Sequence, residues 1–101
     1  MGTSNGKNKK IMKKITVKKV RDGDTFWGPR DKFYRLAEVY APEKGQRGYK
    51  KAKETLKEMI EGEQIYIQEV GKSYNRPVVK VRLPGEKRTV NEKMKRAGFG
   101  E

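Results

Sequence analysis

The sequence predicts a mainly β fold with helices (α+β), in which five short strands form a small barrel. Two observations support this prediction. Runs of alternating apolar and polar residues recur between turn signals rich in glycine and proline, and one longer segment has the apolar spacing of a helix. Only 33% of the 101 residues are hydrophobic, so the chain can bury one small core and is expected to form one domain.

The first part of the chain predicts three strands. The segment KITVKKV, residues 14–20, alternates with Ile15 and Val17 on one face, and the Asp-Gly of RDGDTFW supplies a hairpin turn. The second strand begins with TFW at residues 25–27. GPRD turns the chain again, and KFYRLAEVY, residues 32–40, makes the third strand.

One amphipathic helix follows these strands. Pro42 and the glycines of APEKGQRG break the strand pattern. Apolar residues then recur at helical spacing up to Gly62, which is typical of a helix end: Tyr49, Ala52, Leu56, Met59 and Ile60. We therefore predict a helix between the third and fourth strands.

The last part of the chain predicts two more strands and a short helix. EQIYIQEV, residues 63–70, and RPVVKVRL, residues 76–83, form the fourth and fifth strands around the polar loop GKSYN. VNEKMKRAG then places Val90, Met94 and Ala97 on one side of a short C-terminal helix.

Five short strands with a helix between the third and the fourth suit a Greek-key barrel of the OB type. Closing the barrel protects strand edges that so polar a sequence could not otherwise bury. Residues 1–13 are polar, rich in lysine and without periodicity. We therefore predict a disordered basic arm before a barrel domain at residues 14–101.

Composition limits the chemistry that the chain can perform. It has no cysteine and no histidine, which excludes disulfides, thiolate zinc sites, cysteine nucleophiles and every imidazole base or ligand. Any reaction must use carboxylates, lysine, arginine, tyrosine, serine, threonine or a hard cation. No apolar run is long enough to cross a membrane and no signal sequence is recognisable, so we expect a cytoplasmic protein without a membrane partner, with secretion after removal of a signal as the alternative. We also expect a monomer.

The balance of charge points to a polyanionic partner. Lysine and arginine number 26 against 13 acidic residues, which gives a net charge of +13. A field of this sign attracts nucleic acid first and an anionic membrane second. The plainer alternative is that lysine and glutamate only solvate the surface, as in heat-adapted proteins.

Several short motifs, in their order and spacing, resemble the staphylococcal nuclease-like (thermonuclease) domain family from about Lys14 to Gly100. DGDT follows the first strand, RLAEVYAPE follows the third, and YNR at residues 74–76 precedes the fifth. VNEKMKRAGFG completes the set near the C terminus. The resemblance implies an endonuclease, a calcium-dependent phosphodiester hydrolase acting on DNA or RNA.

The resemblance also implies which residues act. Asp24 matches a metal ligand of the family, and Glu43 matches the proposed general base for the attacking water. Arg35 and Arg76 match two arginines that bind the phosphate. These residue types suit the reaction, because cutting a phosphodiester requires an activated water molecule and neutralisation of the charge that develops at the phosphate. A planar guanidinium can contact two phosphate oxygens at once.

Two positions near this site need separate interpretations. Where the family usually has a second metal-ligating aspartate, this chain has Tyr40, and a neutral phenol is a poor calcium ligand, so we expect a weakened cation site. Glu38 would share a strand face with Tyr40 about 7 Å away, which makes it a candidate compensating ligand for calcium or else an ordinary surface carboxylate. Asp22 and Gly23 are interpreted as the hairpin turn itself.

Aromatic residues interleaved with lysine and arginine support a second function. Trp27, Tyr40 and Tyr74, together with Lys72, are candidates for contact with nucleic acid, because small barrels stack unpaired bases on aromatic rings. The alternative function is therefore a catalytically inactive OB-fold module that binds single-stranded nucleic acid. A preference for DNA over RNA cannot be predicted from these residues.

Overall fold

One six-stranded sheet forms the centre of the structure, a computed structural model in which residues 12–100 are described. The strands are β1 Lys13–Thr16, β2 Lys19–Asp22, β3 Thr25–Trp27, β4 Phe33–Leu36, β5 Gln64–Ser73 and β6 Arg76–Arg82. Helix α1, Tyr49–Ile60, lies between β4 and β5, and helix α2, Val90–Met94, continues into a π-helical turn, Lys95–Phe99. The mixed α+β class is confirmed.

The predicted first strand, residues 14–20, is wrong in one respect, because the structure divides it into β1 and β2. The strand order is β1-β5-β6-β4-β3-β2, so these two segments lie at opposite ends of the sheet. At the bend the Val17 amide donates to the Glu63 carbonyl at 3.0 Å, and the next amide, that of Lys18, donates to the Trp27 carbonyl at 2.8 Å. Consecutive residues thus pair with opposite ends, and the sheet curls into a half-barrel of six strands rather than five.

The predicted third strand, residues 32–40, is too long. β4 ends at Leu36, and the next two residues form a turn in which Glu38 has a left-handed backbone with φ 61°. Val39 then forms an isolated bridge with Gly100. Residues 38 and 40 therefore do not share a strand face, and the geometric argument for Glu38 as a compensating ligand is wrong.

The main helix is where its spacing predicts it. α1 buries Ala52, Leu56 and Ile60, packs against β2, and is followed by Gly62 at φ 79°. Helix α2 buries Val90 and Met94 as predicted, whereas Ala97 is exposed. The difference follows from the π-helical turn, which changes the angular spacing of the residues beyond Met94.

The core lies between the curled sheet and both helices. Strands β2 to β6, both helices and the bend before β2 contribute fully or nearly fully buried apolar side chains, and the Phe26 and Tyr34 rings stack at its centre, 5.4 Å apart. Residues 1–11 of the predicted basic arm lie outside the described part of the chain, and Lys13 is the first residue of β1. Within residues 12–100 no helix is long and apolar enough to span a membrane.

Candidate functional site

Four of the predicted site residues line one cavity of about 360 Å³. Asp24 comes from the β2–β3 turn, Arg35 from β4, Glu43 from the loop after β4, and Arg76 from the start of β6. The remaining lining residues are Arg21, Asp22, Thr25, Ala41, Pro42 and Lys44. Five elements of the fold thus bring oppositely charged side chains to a single opening in the surface.

Strand pairing explains how residues distant in sequence meet at this cavity. In the β3–β4 ladder Thr25 is the partner of Arg35. On its other side Arg35 is the partner of Val78 in the parallel β4–β6 pair, which places Arg76 two residues back along β6. The Leu36 amide donates to the Asp24 carbonyl at 2.9 Å and fixes the turn against β4.

The Arg35 guanidinium is held in place from several sides. Its Nη1 donates to the Leu36 carbonyl at 3.0 Å and its Nη2 to the Val39 carbonyl at 3.3 Å. Asp24 Oδ2 lies 3.7 Å from Nη2, and the centre of the Tyr40 ring lies 5.5 Å from Cζ. Only 20% of the Arg35 side chain is exposed, so the guanidinium is oriented before any ligand arrives.

Arg76 and Glu43 are arranged differently. Within residues 12–100 neither the Arg76 guanidinium nor the Glu43 carboxylate makes a hydrogen bond or an ion pair. The backbone of Glu43 is fixed, because its amide donates to Gln46 Oε1 at 2.8 Å. Both side chains therefore keep their charged groups available to a ligand in the cavity.

Asp22 is a cavity residue that the sequence interpretation missed. It ends β2, its carboxyl lines the cavity, and the turn consists of Gly23 and Asp24. The Asp24 amide donates to Asp22 Oδ1 at 3.3 Å, and Thr25 Oγ1 donates to Asp24 Oδ1 at 2.9 Å. Burial, together with the neighbouring Asp24 carboxyl, raises the pKa of Asp22 above its ordinary value. The sequence signal that could have identified Asp22 is the pair of aspartates, Asp22 and Asp24, on either side of Gly23.

Gly23 fits this turn because no larger residue has room. A Cβ at Gly23 would lie 2.5 Å from the Ala41 Cβ and 2.7 Å from the Ala52 Cβ, and neither methyl group can rotate away.

We expect Gly23→Ala to lower the free energy of unfolding by about 1–3 kcal/mol, measured by urea titration. The control is Gly71→Ala in β5, where a Cβ meets nothing within 4 Å. Equal effects of the two substitutions would contradict the close packing at Gly23.

The donors in the cavity suit a hard cation in kind. Asp22 and Asp24 offer carboxylate oxygens next to each other, and Glu43 lines the same cavity. Oxygen donors are those that calcium prefers, and a cation would relieve the repulsion between the two aspartates. Over residues 12–100 no three acidic, histidine or cysteine residues lie close enough together to hold a metal. The described residues therefore supply oxygen donors of the right kind but fewer adjacent carboxylates than calcium sites usually have.

Glu38 and Tyr40 do not line this cavity. Glu38 Oε1 accepts from Lys95 Nζ at 2.9 Å, and this hydrogen bond and the lysine charge lower the pKa of Glu38. The Tyr40 side chain is 54% exposed and lines a neighbouring cavity of about 660 Å³. Its amide donates to the Phe99 carbonyl at 2.8 Å. Tyr40 thus borders the site through its ring on Arg35.

The other residues predicted to bind nucleic acid lie at two places. Tyr74 is 93% exposed at the tip of the β5–β6 hairpin, where its φ is 58°, and Lys72 is exposed in the same hairpin opposite Pro77. Arg76 is in the cavity and directly follows that tip, so the hairpin borders the cavity. Trp27 lies on the outward face of β3, two residues along the strand from Thr25 of the cavity and away from the hairpin.

No protein-family model matches this chain, and no curated protein sequence matches it either.

Proposed function

We propose that this protein is a nuclease similar to the staphylococcal nuclease-like domains, a cation-dependent phosphodiesterase that cuts DNA or RNA with a weakened calcium site. One observation carries the proposal: Asp24, Arg35, Glu43 and Arg76 share a single cavity. The resemblance assigns roles to these four residues from four separate segments of the sequence. A chance likeness of short motifs would give no reason for the fold to gather them.

The strand order supports the OB-type barrel that goes with this family. β1 and β2 are separated only by Val17 and Lys18, and together they act as one bent strand that pairs at both ends of the sheet. If this bent segment is counted once, the six-stranded half-barrel with α1 between β4 and β5 is compatible with an OB-type barrel.

The charged groups suit hydrolysis of a phosphodiester. Glu43 accepts a proton from a water molecule whose oxygen attacks phosphorus. The bond from phosphorus to the leaving sugar oxygen breaks, and that oxygen takes up a proton from solvent. Arg35 and Arg76 donate hydrogen bonds to the phosphoryl oxygens, which gain negative charge as the fifth bond forms. Since Arg35 is already oriented by two backbone carbonyls, little reorganisation is required when the charge develops.

Asp24 and Asp22 are the residues that would hold calcium. When bound, the ion would neutralise charge on the phosphoryl oxygens and on the attacking water. The resemblance assigns an additional metal-ligating carboxylate to position 40, where this chain has the Tyr40 ring, which lies against Arg35 and outside the cavity.

Restoring a carboxylate at Tyr40 tests the weakened site. We expect Tyr40→Asp to lower by about tenfold the calcium concentration needed for half-maximal cleavage of single-stranded DNA, because calcium affinity rises with the number of carboxylates. Cleavage is measured with an end-labelled oligonucleotide over a calcium titration. Tyr40→Asn is the control, since it removes the ring from Arg35 without adding charge. If both variants respond alike, the missing carboxylate is not what limits the site.

A second candidate function is binding of nucleic acid without cleavage. The small number of acidic side chains that could hold a cation favours this function. In the described part of the chain the cavity has more basic than acidic side chains, and no three acidic residues form a metal-holding group. Such a cavity would bind a phosphate without hydrolysing it. Oligonucleotide binding without product at any calcium concentration, in both the wild type and Tyr40→Asp, would select this function.

A further inference from the structure

Two aromatic rings face outward on the sheet beside the cavity. Trp27 and Phe33 are partners in the β3–β4 ladder, with ring centres 5.1 Å apart and planes inclined by 37°. Their neighbours Phe26 and Tyr34 point into the core, so this aromatic pair, Trp27 and Phe33, lies on the opposite face, where both rings are half-buried. The pair thus presents a partly exposed aromatic surface on the outside of the sheet.

Cationic side chains surround the aromatic pair. Lys19 Nζ lies 5.8 Å from the centre of the Trp27 ring, and Arg21 Cζ lies 5.3 Å from the centre of the Phe33 ring. An open cavity of about 570 Å³ is lined by both rings, Lys18, Lys19 and Asp31. Rings flanked by cations are suited to a ligand that alternates flat bases with phosphates.

This surface is continuous with the candidate active site. Arg21 both lines the 360 Å³ cavity and lies over Phe33. It occupies a register shift of β2, between Val20 and Asp22, and such a bulge reorients a side chain. On the same strand face the Thr25–Arg35 pair lies two residues, about 7 Å, from the aromatic pair. A strand with one phosphate in the cavity could therefore continue over the rings.

We propose that the aromatic pair is a base-stacking subsite for single-stranded nucleic acid, with Lys19 and Arg21 contacting the adjoining phosphates. The inference rests on the nucleic-acid binding in the proposed function and adds the preferred strand form and the direction in which the strand leaves the cavity. A single strand is the occupant, because the bases of a duplex are already stacked on each other and cannot stack on protein rings. The net charge of +13 complements such a ligand.

Trp27 is the only tryptophan in the chain, so its fluorescence reports directly on the subsite. With calcium removed by a chelator, we expect a thymidine oligonucleotide of about eight nucleotides to quench this emission at saturation. A dinucleotide that fills only the cavity should bind without quenching. Unchanged emission at saturation with the longer strand would overturn the subsite, and equal quenching by a duplex of the same length would overturn its preference for single strands.

Substitutions separate stacking from general charge. Trp27→Leu and Phe33→Leu should each weaken binding of the longer oligonucleotide about tenfold, measured by anisotropy of a labelled strand, and leave dinucleotide binding unchanged. The matched control is Tyr66→Leu in β5, whose ring also lies near a lysine, 5.9 Å from Lys14 Nζ. Thermal unfolding shows which variants are folded. If a folded Trp27→Leu or Phe33→Leu variant binds the longer strand like the Tyr66 variant, the proposal is wrong.

Asp31 supplies a test that leaves both rings in place. Its carboxylate lies 2.7 Å from Lys18 Nζ and is the acidic group in the subsite. Asp31→Asn keeps a residue that tolerates the local φ of 55° and removes the charge. We expect about threefold tighter binding of the longer strand, and unchanged or weaker binding would count against the subsite. If the longer strand quenches the Trp27 emission but is not cleaved, the subsite is supported and the hydrolase function is overturned. If the strand is cleaved but does not quench the emission, the hydrolase function is supported and the subsite is overturned.

Discussion

Replacing Arg35 with lysine is expected to lower cleavage of single-stranded DNA by roughly 10²–10³-fold. Lysine keeps the positive charge but loses the planar fork that can contact two phosphoryl oxygens. It also loses the orientation that Arg35 receives from the Leu36 and Val39 carbonyls. The measurement is kcat/KM with an end-labelled oligonucleotide at saturating calcium.

The control for this substitution is Arg88→Lys. Arg88 lies outside the cavity and pairs with Glu92 at 3.6 Å on the exposed surface, so its replacement should leave cleavage unchanged. Oligonucleotide binding in chelator distinguishes two explanations of a loss at Arg35. If binding falls by the same factor as kcat/KM, Arg35 contributes equally to ground state and transition state. If neither falls, Arg35 has no role at the phosphate.

Replacing Asn91 with alanine is expected to lower the free energy of unfolding by about 3 kcal/mol or more. Asn91 is only 5% exposed and joins three segments. Its Oδ1 accepts from the Val81 amide at 2.8 Å, and its Nδ2 donates to the Ala37 and Val79 carbonyls, both at 3.0 Å. Alanine would leave the Val81 amide and the Ala37 carbonyl without this partner, while the Val79 carbonyl would keep the bond from the Ala37 amide. Urea unfolding followed by circular dichroism measures the change.

A second substitution on the same helix serves as the comparison. The Thr89 hydroxyl accepts from the Glu92 amide at 3.1 Å and caps α2, so Thr89→Ala should cost about 1 kcal/mol. A similar loss at both positions would mean that Asn91 only supports the helix. Because Ala37 directly follows β4, we expect Asn91→Ala also to reduce cleavage in whatever fraction of the protein is folded, whereas Thr89→Ala should not.

Local patterns predicted the helices well and the strand ends poorly. The bounds of α1 follow from its apolar spacing and from Gly62, which are properties of neighbouring residues. The bend after Thr16 depends instead on two hydrogen bonds to residues far away in sequence, Glu63 and Trp27. The alternation of Ile15 and Val17 breaks at Lys18 and Lys19, since Val20 is out of phase with both. No pattern within residues 14–20 predicts, however, that the two halves pair with distant residues at opposite ends of the sheet.

The site shows the same contrast between neighbouring and distant residues. The family resemblance proposes roles for Asp24, Arg35, Glu43 and Arg76, and the fold brings these four residues to one cavity. The sequence pattern misjudged the left-handed turn at Glu38, whose neighbours Ala37 and Val39 pair with residues distant in sequence, Val79 and Gly100. It also assigned Asp22 to the turn, although the turn lies one residue further on and leaves that carboxyl in the cavity. The direction in which a side chain points at the end of a short strand is decided by the residues with which that strand pairs.

The most direct test of the central claim is cleavage by the wild-type protein with and without calcium. An end-labelled single-stranded oligonucleotide is incubated with the protein in calcium, in chelator, and in calcium with the Asp24→Asn variant, whose binding and unfolding are measured in parallel. We expect product with calcium, none in chelator, and none from Asp24→Asn although that variant folds and binds the oligonucleotide. Equal product from the wild type and Asp24→Asn, or binding without product at every calcium concentration, would contradict it.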